Sequence, residues 1–340
     1  NDFGYSKHPD ETLEIWNKKE VLGDVVRLIR QFKPDVIVNR FDHRSPGSTH
    51  GHHTSSAILS FEAFDLVNDA NAYPEQLAAL STWQPKRLFF NTSWWFYGSE
   101  EKFEAADKSK MLSFDVGTYY PILGISNNEI ASLASSQHLC QGFGRLSERG
   151  SQNEYIEFLK GDFPEDKNDI FDGVDTTWSR MEGGAAIGKL LVGVETDFNF
   201  NEPSMHLPQL LQAYQLLSAL PEGHWRDIKK KELEDIILSV GGLYLEASAT
   251  TATANLGAEV TVEVEAVNRS NAKIQLKSVA INSEKKITEN HPLTVNEKIL
   301  LETTFTVSSD TRFTSPYWLN EKGSLGMYKV SDPLLIGKPE

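Results

Sequence analysis

Three histidines fall within four residues at His50-Gly51-His52-His53. Imidazole exchanges protons near neutral pH and ligates divalent metals such as zinc. Residues three apart on a helix share a face, so His50 and His53 point to one side if this segment opens a helix. The flanking residues support that placement. Pro34-Asp35-Val36-Ile37-Val38 reads as a short apolar strand, stopped by the polar loop from Asn39 to Thr49. Ala57, Ile58, Phe61, Phe64 and Val67 then recur at helical spacing. The cluster therefore belongs where the carboxyl end of a strand hands over to a helix, the place where open α/β sheets bind ligands. A polar loop or a capping histidine would account for one imidazole. Three at such a junction indicate a metal or substrate site.

Several elements must hold that junction in place. Ile15, Leu22, Val25, Val26, Ile29 and Phe32 line one face of a helix running from Thr12 to Phe32, with Asp10 as its cap and Pro34 closing it. Arg87 to Asn91 reads as a second buried strand, entered through Gln84-Pro85. A helix is expected from Asn128 to Cys140, capped by Ser126 or Asn127 and followed by Gly142. Residues 145–205 are polar and Gly-rich and read as surface excursions, before helices resume at Leu207 to Leu220 and Trp225 to Val240. Beyond Gly241-Gly242 the period changes to two: Val260, Val262, Val264 and Ala266 alternate with polar residues, and Lys298 to Val307 follows. Asn268, Asn271 and Asn282-Ser283 mark turns between these runs. The expected fold is α/β, a Rossmann-like, mostly parallel sheet over residues 1–240 followed by an antiparallel β-sandwich over 241–312. Residues 313–340 read as a linker toward a further module.

The quoted segments also resemble a known family. Pro34 to Val38 followed by Thr49-His50-Gly51-His52-His53-Thr54-Ser55-Ser56-Ala57, then Trp83 to Leu88 and Ser136 to Gly144, is similar to the PIG-L/LmbE family of zinc-dependent de-N-acetylases. The resemblance covers residues 1–240 and the larger members with appended β-modules. It implies that His53 is a zinc ligand and that His50 assists at the carbonyl oxygen of the scissile amide. His52 stands where the family has Asp, and Gly51 replaces a common Pro, which should loosen the loop. His138 and Gln141 match a later His-x-Ser-Gln segment, with Cys140 in the Ser position as a small core residue. Arg40, His52, His138 and Gln141 are the expected substrate-binding residues.

The family also has a His-Pro-Asp-Asp-Glu motif that supplies two further zinc ligands and a general base. His8-Pro9-Asp10-Glu11 is not that motif: no buried strand precedes it and it has one acid too few. The chain thus reads as a piece of a longer protein whose first βα units, with those zinc ligands, lie outside it. The resemblance implies a metal-dependent N-deacetylase acting on an N-acetylated amino sugar or related amide, located in the periplasm or secreted, with this piece nearly inactive alone. The alternative is a non-catalytic glycan-binding protein with a degenerate hydrolase-like layer. Trp94-Trp95-Phe96-Tyr97 could stack on a sugar ring, and a core or domain-interface role accounts for them equally well.

Composition excludes other classes. A net charge of -15 argues against nucleic acid and anionic membrane surfaces. The Lys229-Lys230-Lys231 run sits among acids as a solvated helix face. A single cysteine rules out an internal disulfide and a multi-thiolate zinc site. No stretch approaches the ~18 apolar residues of a membrane span. Asp115, Asp172 and Asp175 are assigned no role.

Overall fold

The computed structural model describes residues 3–141, 144, 147–281, 284–287 and 290–339. The chain forms two compact units, one built from residues up to Val174 together with those from Ser315 onward, the other from Asp175–Thr314. The sequence places these divisions at 240/241 and 312/313 instead. The helices after residue 175 group with the β-rich region, and the supposed linker belongs to the first unit.

The first unit opens with α1 (Pro9–Ile15) and α2 (Lys18–Phe32). The single expected helix is broken at Asn17, which adopts a left-handed φ of 54°. His8, not Asp10, caps α1: its ring accepts the Asp10 backbone N–H at 3.4 Å, and Pro9 takes the first helical position. Then come β1 (Val36–Asn39), α3 (Gly51–Leu66), β2 (Arg87–Thr92), the short α4 (Trp94–Tyr97) and α5 (Glu100–Glu104), and β3 (Met111–Asp115). A small hairpin of β4 (Tyr119–Tyr120) and β5 (Ile125–Ser126) leads to α6 (Asn127–Ser136), then to β6 (Asn153–Gly161). Ser126 caps α6 in a reciprocal capping box with Glu129. The expected Gly142 stop lies outside the described residues.

The sheet order is β1-β2-β6-β3. β1 and β2 are parallel, whereas β6 runs antiparallel to both β2 and β3. The sheet is therefore mixed rather than mostly parallel. β1, β2 and β3 share one direction, but β6 inserts between β2 and β3. Its sequence, Asn-Glu-Tyr-Ile-Glu-Phe-Leu-Lys-Gly, looks too polar for an inner strand. Its charges all find partners: Glu154 accepts from Asn91, Glu157 from Arg44, and Lys160 donates to Asp65. One face of the sheet buries Phe89, Leu112 and Ile156. A separate core joins Leu13, Leu22, Val26 and Ile29 to Leu59 and Ala63 of α3 and to Val67 just after it. Met327 of the carboxyl-terminal segment packs on that core, and the Ile15 carbonyl lies against Gly326, where a Cβ would sit 2.3 Å away.

The second unit begins with α7 (Ala185–Thr196), α8 (Leu207–Ala219) and α9 (His224–Val240), joined through Ile187, Val194, Leu210, Leu217 and Leu233. α7 escapes the sequence reading because two glycines interrupt its pattern. One of them, Gly188, is where Trp178 packs, a Cβ there falling 2.9 Å from the Trp178 side chain. Lys229 and Lys231 pair with Glu232 and Asp235 on the α9 surface. The strands are β7 (Leu243–Ala249), β8 (Glu259–Asn268), β9 (Ile274–Leu276), β10 (Val279–Ile281), β11 (Glu284–Ile287), β12 (His291–Leu293) and β13 (Lys298–Thr306). They form a three-stranded antiparallel sheet, β13-β8-β7, and two-stranded ladders β9/β12 and β10/β11. The alternation read from sequence is present: Val260, Val264 and Ala266 of β8 are buried. The Asn282-Ser283 turn lies outside the described residues. Among the described residues, no helix is long and apolar enough to cross a membrane.

Candidate functional site

β1 ends at the buried Asn39, and the loop that follows returns the chain to the amino end of α3. His50 is the residue before the helix, with extended backbone and no side-chain capping bond, so its ring is left free for other contacts. His53 lies one turn on. The two imidazoles stack with centroids 5.2 Å apart and planes 22° apart. Phe41, from the β1–α3 loop, lies flat on His53 at 4.0 Å, and Tyr5 meets His50 edge-on at 4.9 Å. The expected shared face is therefore present, extended into a ladder of four rings. Burial pushes the His53 imidazole below its ordinary value, and nearby His50 and His52 add to the effect. A neutral ring keeps a nitrogen lone pair available as a ligand.

His52 takes the other direction. It stacks on Phe3 at 4.6 Å and meets Trp16 edge-on at 5.4 Å, and its buried Nε2 has no hydrogen-bond partner among the described residues. Its contacts are with the amino-terminal segment and the end of α1, not with the His50–His53 face where substrate was expected. Gly51 is equally constrained. Its N–H donates to the Ser6 carbonyl at 2.9 Å, and a Cβ on it would meet His8 O, Thr12 Oγ1 and Ser6 Oγ at 2.5–2.6 Å. Replacing Pro by Gly does not loosen the loop. It lets α1 close directly on the first turn of α3.

Arg40 is exposed and donates to Asn91 Oδ1 at 2.9 Å, which ties the end of β1 to the end of β2. His138 Nδ1 and Gln141 Oε1 lie 2.7 Å apart on an exposed turn after α6. Cys140 between them is exposed and not a core residue. Asp115 accepts the Gln152 N–H, the Ser151 hydroxyl and the Gly117 N–H, Asp172 the N–H groups of Glu165 and Asp166, and Asp175 the Thr177 hydroxyl and N–H, which holds each carboxyl below its usual range.

The sequence reading passed over the residues beside this face. Asp42, His43 and Arg44 directly follow Phe41. Arg44 bonds Glu157 of β6 through both terminal nitrogens at 2.8 Å and reaches back to Asp42 through Nε, also at 2.8 Å. Burial works to raise the Asp42 carboxyl, but the hydrogen bonds and charge of Arg44 outweigh it and hold the group below its ordinary value. His43 stacks on Phe61 at 4.0 Å, and Lys160 Nζ lies 3.6 Å from the same ring centre. Charged residues soon after a short apolar strand were the available signal. Their partner is 113 positions away in the chain, which the sequence does not disclose.

A catalytic zinc needs three protein ligands. Among the described residues, no group of three or more His, Cys, Asp or Glu side chains is placed to hold a metal ion. The pair His50 and His53 does not make a zinc site by itself. What it does provide is two imidazoles at the positive end of a 16-residue helix, suited to a carbonyl oxygen or an anionic group. No family model, no curated protein and no solved structure matches this chain.

Proposed function

We propose that this chain carries part of the active site of a zinc-dependent hydrolase that removes the acetyl group from an N-acetylated amino sugar or a related amide. The observation that carries the reading is the His50–His53 pair, on one face of the first turn of α3, at the carboxyl end of a strand paired in parallel. In this reading His53 is a metal ligand. His50, exposed beside it, donates an N–H to the carbonyl oxygen of the amide as charge develops there, with the α3 amino end adding its dipole. The other ligands and the general base belong to a segment with a His-Pro-Asp-Asp-Glu motif, which is not among these 340 residues. The mixed sheet then corresponds to part of a Rossmann-like layer, and the β8-centred sheet to part of a β-sandwich. A periplasmic or secreted location suits such a substrate.

Elemental analysis of bound zinc tests this directly. These 340 residues alone should hold little zinc, and the same chain joined to a segment carrying the motif should hold about one ion. His53→Ala should remove it. His50→Ala should keep the metal while acetate release from N-acetylglucosamine derivatives falls by about two orders of magnitude. Zinc absent from both forms would sink the reading.

A further inference from the structure

A second concave surface lies elsewhere in the first unit, against α2. The groove measures about 1190 Å3, above the ~300–1,000 Å3 of ordinary small-molecule pockets. One wall is α2 with the turn after α3; the other is the carboxyl-terminal segment around Tyr317-Trp318 and Met327-Tyr328. Neither His50 nor His53 lines it. It reaches α3 at Leu66, the opposite end of that helix from the histidines and, at 1.5 Å per residue, roughly 24 Å from them.

The walls are fixed in advance. Tyr73 sits at a left-handed φ of 51°, which a non-glycine residue holds only when its surroundings impose it. Its hydroxyl donates to the Lys19 carbonyl at 2.8 Å. Its ring covers Gly23, where a Cβ would come within 2.8 Å of Tyr73 Cε1. On the opposite wall, Tyr317 donates to the Lys338 carbonyl at 2.9 Å, and Lys329 pairs with Glu321 at 2.8 Å.

Two polar groups on these walls are unused. Among the described residues, neither the half-buried Asp24 carboxylate nor the half-buried Trp318 indole N–H has a hydrogen-bond or ion-pair partner. Burial lifts the Asp24 carboxyl above its ordinary value; Arg27 opposes this and Glu20 adds to it. The lining charges balance, with Lys19, Arg27 and Lys329 against Glu20, Asp24 and Glu75. An apolar ligand would bury Asp24 without a partner, at a cost. A strongly charged ligand of either sign meets like charges. A chain of neutral rings with apolar faces and hydroxyl edges meets neither penalty.

We infer that this groove binds a neutral oligosaccharide, its sugar rings lying on Tyr73 and Trp318 and its hydroxyls bonding the Asp24 carboxylate and the Trp318 N–H. Aromatic faces pack on the C–H faces of sugars, and the size of the groove calls for several rings rather than one. The inference does not depend on the deacetylase reading and needs no metal.

Calorimetric titration of the 340-residue chain with cellotetraose, xylotetraose, laminaritetraose, mannotetraose and maltotetraose tests it. At least one should bind. Trp318→Ala and Asp24→Ala should each weaken it about tenfold or more. Trp318→Phe, which keeps the ring but loses the N–H, guards against loss of fold and should weaken binding by a smaller factor, with an unchanged circular dichroism spectrum. Phe200→Ala, at an exposed ring outside the groove, should leave binding unchanged. The inference is overturned if none of the five binds, if binding survives both alanine variants, or if it is lost in Phe200→Ala.

Discussion

The two ends of α3 are built on opposite principles. At its carboxyl end the fully buried Arg30 of α2 is surrounded by acceptors. Its guanidinium donates to the carbonyls of Leu66, Val67, Asp69, Ala72 and Tyr73 and to Gln76 Oε1. No carboxylate is needed, because the dipoles of one turn share the charge. At the amino end buried polar atoms are left over: among the described residues His52 Nε2, Trp16 Nε1 and Asn39 Nδ2 have no hydrogen-bond partner. Each such atom costs about 1–3 kcal/mol. A native fold concentrates that cost where side chains serve something other than the fold. One end of the helix is finished as structure; the other keeps polar groups that the fold leaves unsatisfied.

The largest test of this contrast is Arg30→Met. Removing the guanidinium takes a donor from five carbonyls and a glutamine oxygen in the interior, and among the described residues Ala72 O and Gln76 Oε1 have no other donor, so the first unit should lose roughly 3–5 kcal/mol. A fall in the urea midpoint with unchanged slope would report it. Arg30→Lys should recover little, since an ammonium cannot reproduce the planar fork. Arg40→Met, at the exposed arginine beside the histidine end, should stay within about 0.5 kcal/mol. A loss below about 1 kcal/mol in Arg30→Met would mean that the carboxyl end is not the finished one.

A smaller effect of the same kind is expected at the histidine end itself. Gly51→Ala places a methyl group 2.5 Å from His8 O and Thr12 Oγ1, so α1 must move away from α3 at a cost of about 1–3 kcal/mol. Gly193→Ala in α7 meets nothing within 4 Å and should stabilise its helix by about 0.5–1 kcal/mol. Opposite signs from one substitution at two glycines would locate the constraint in packing. If Gly51→Ala is neutral, the contact between α1 and the first turn of α3 is softer than drawn, and the histidine ladder with it.

The sequence disclosed what local pattern controls. β1 and β2 are short apolar runs, α8 and α9 have clear helical periodicity, and β8 and β13 alternate residue by residue, so all were legible. What escaped depends on distant partners. β6 looks like a polar loop until Arg44, Asn91 and Asp65 take up its charges. The carboxyl-terminal segment reads as a linker, because Gly326 and Met327 acquire meaning only against Ile15 and the α2 core. At the site, spacing alone placed His50 and His53 together. It did not show that Gly51 turns His52 toward Phe3 and Trp16, nor that His138 and Cys140 are exposed.

The finest test concerns pH, through His43. Its ring is stacked on Phe61, and its buried Nδ1 makes no hydrogen bond among the described residues but lies 3.7 Å from the Asp42 carboxylate. Burial lowers its pKa; Asp42 opposes this, and Arg44 and Lys160 reinforce it. In the folded chain the imidazole therefore resists a proton that the unfolded chain accepts near pH ~6.5. The stability this lends is complete above that value and is lost as pH falls through the lower folded value. Asp42, held below its ordinary value, acts in the same sense only under pH ~4, so the two windows separate. Urea midpoints between pH 7 and 5 should fall more steeply for the native chain than for His43→Phe, which keeps the stacking and removes the titration. Parallel profiles would mean that the His43 ring reaches solvent despite its stacking on Phe61.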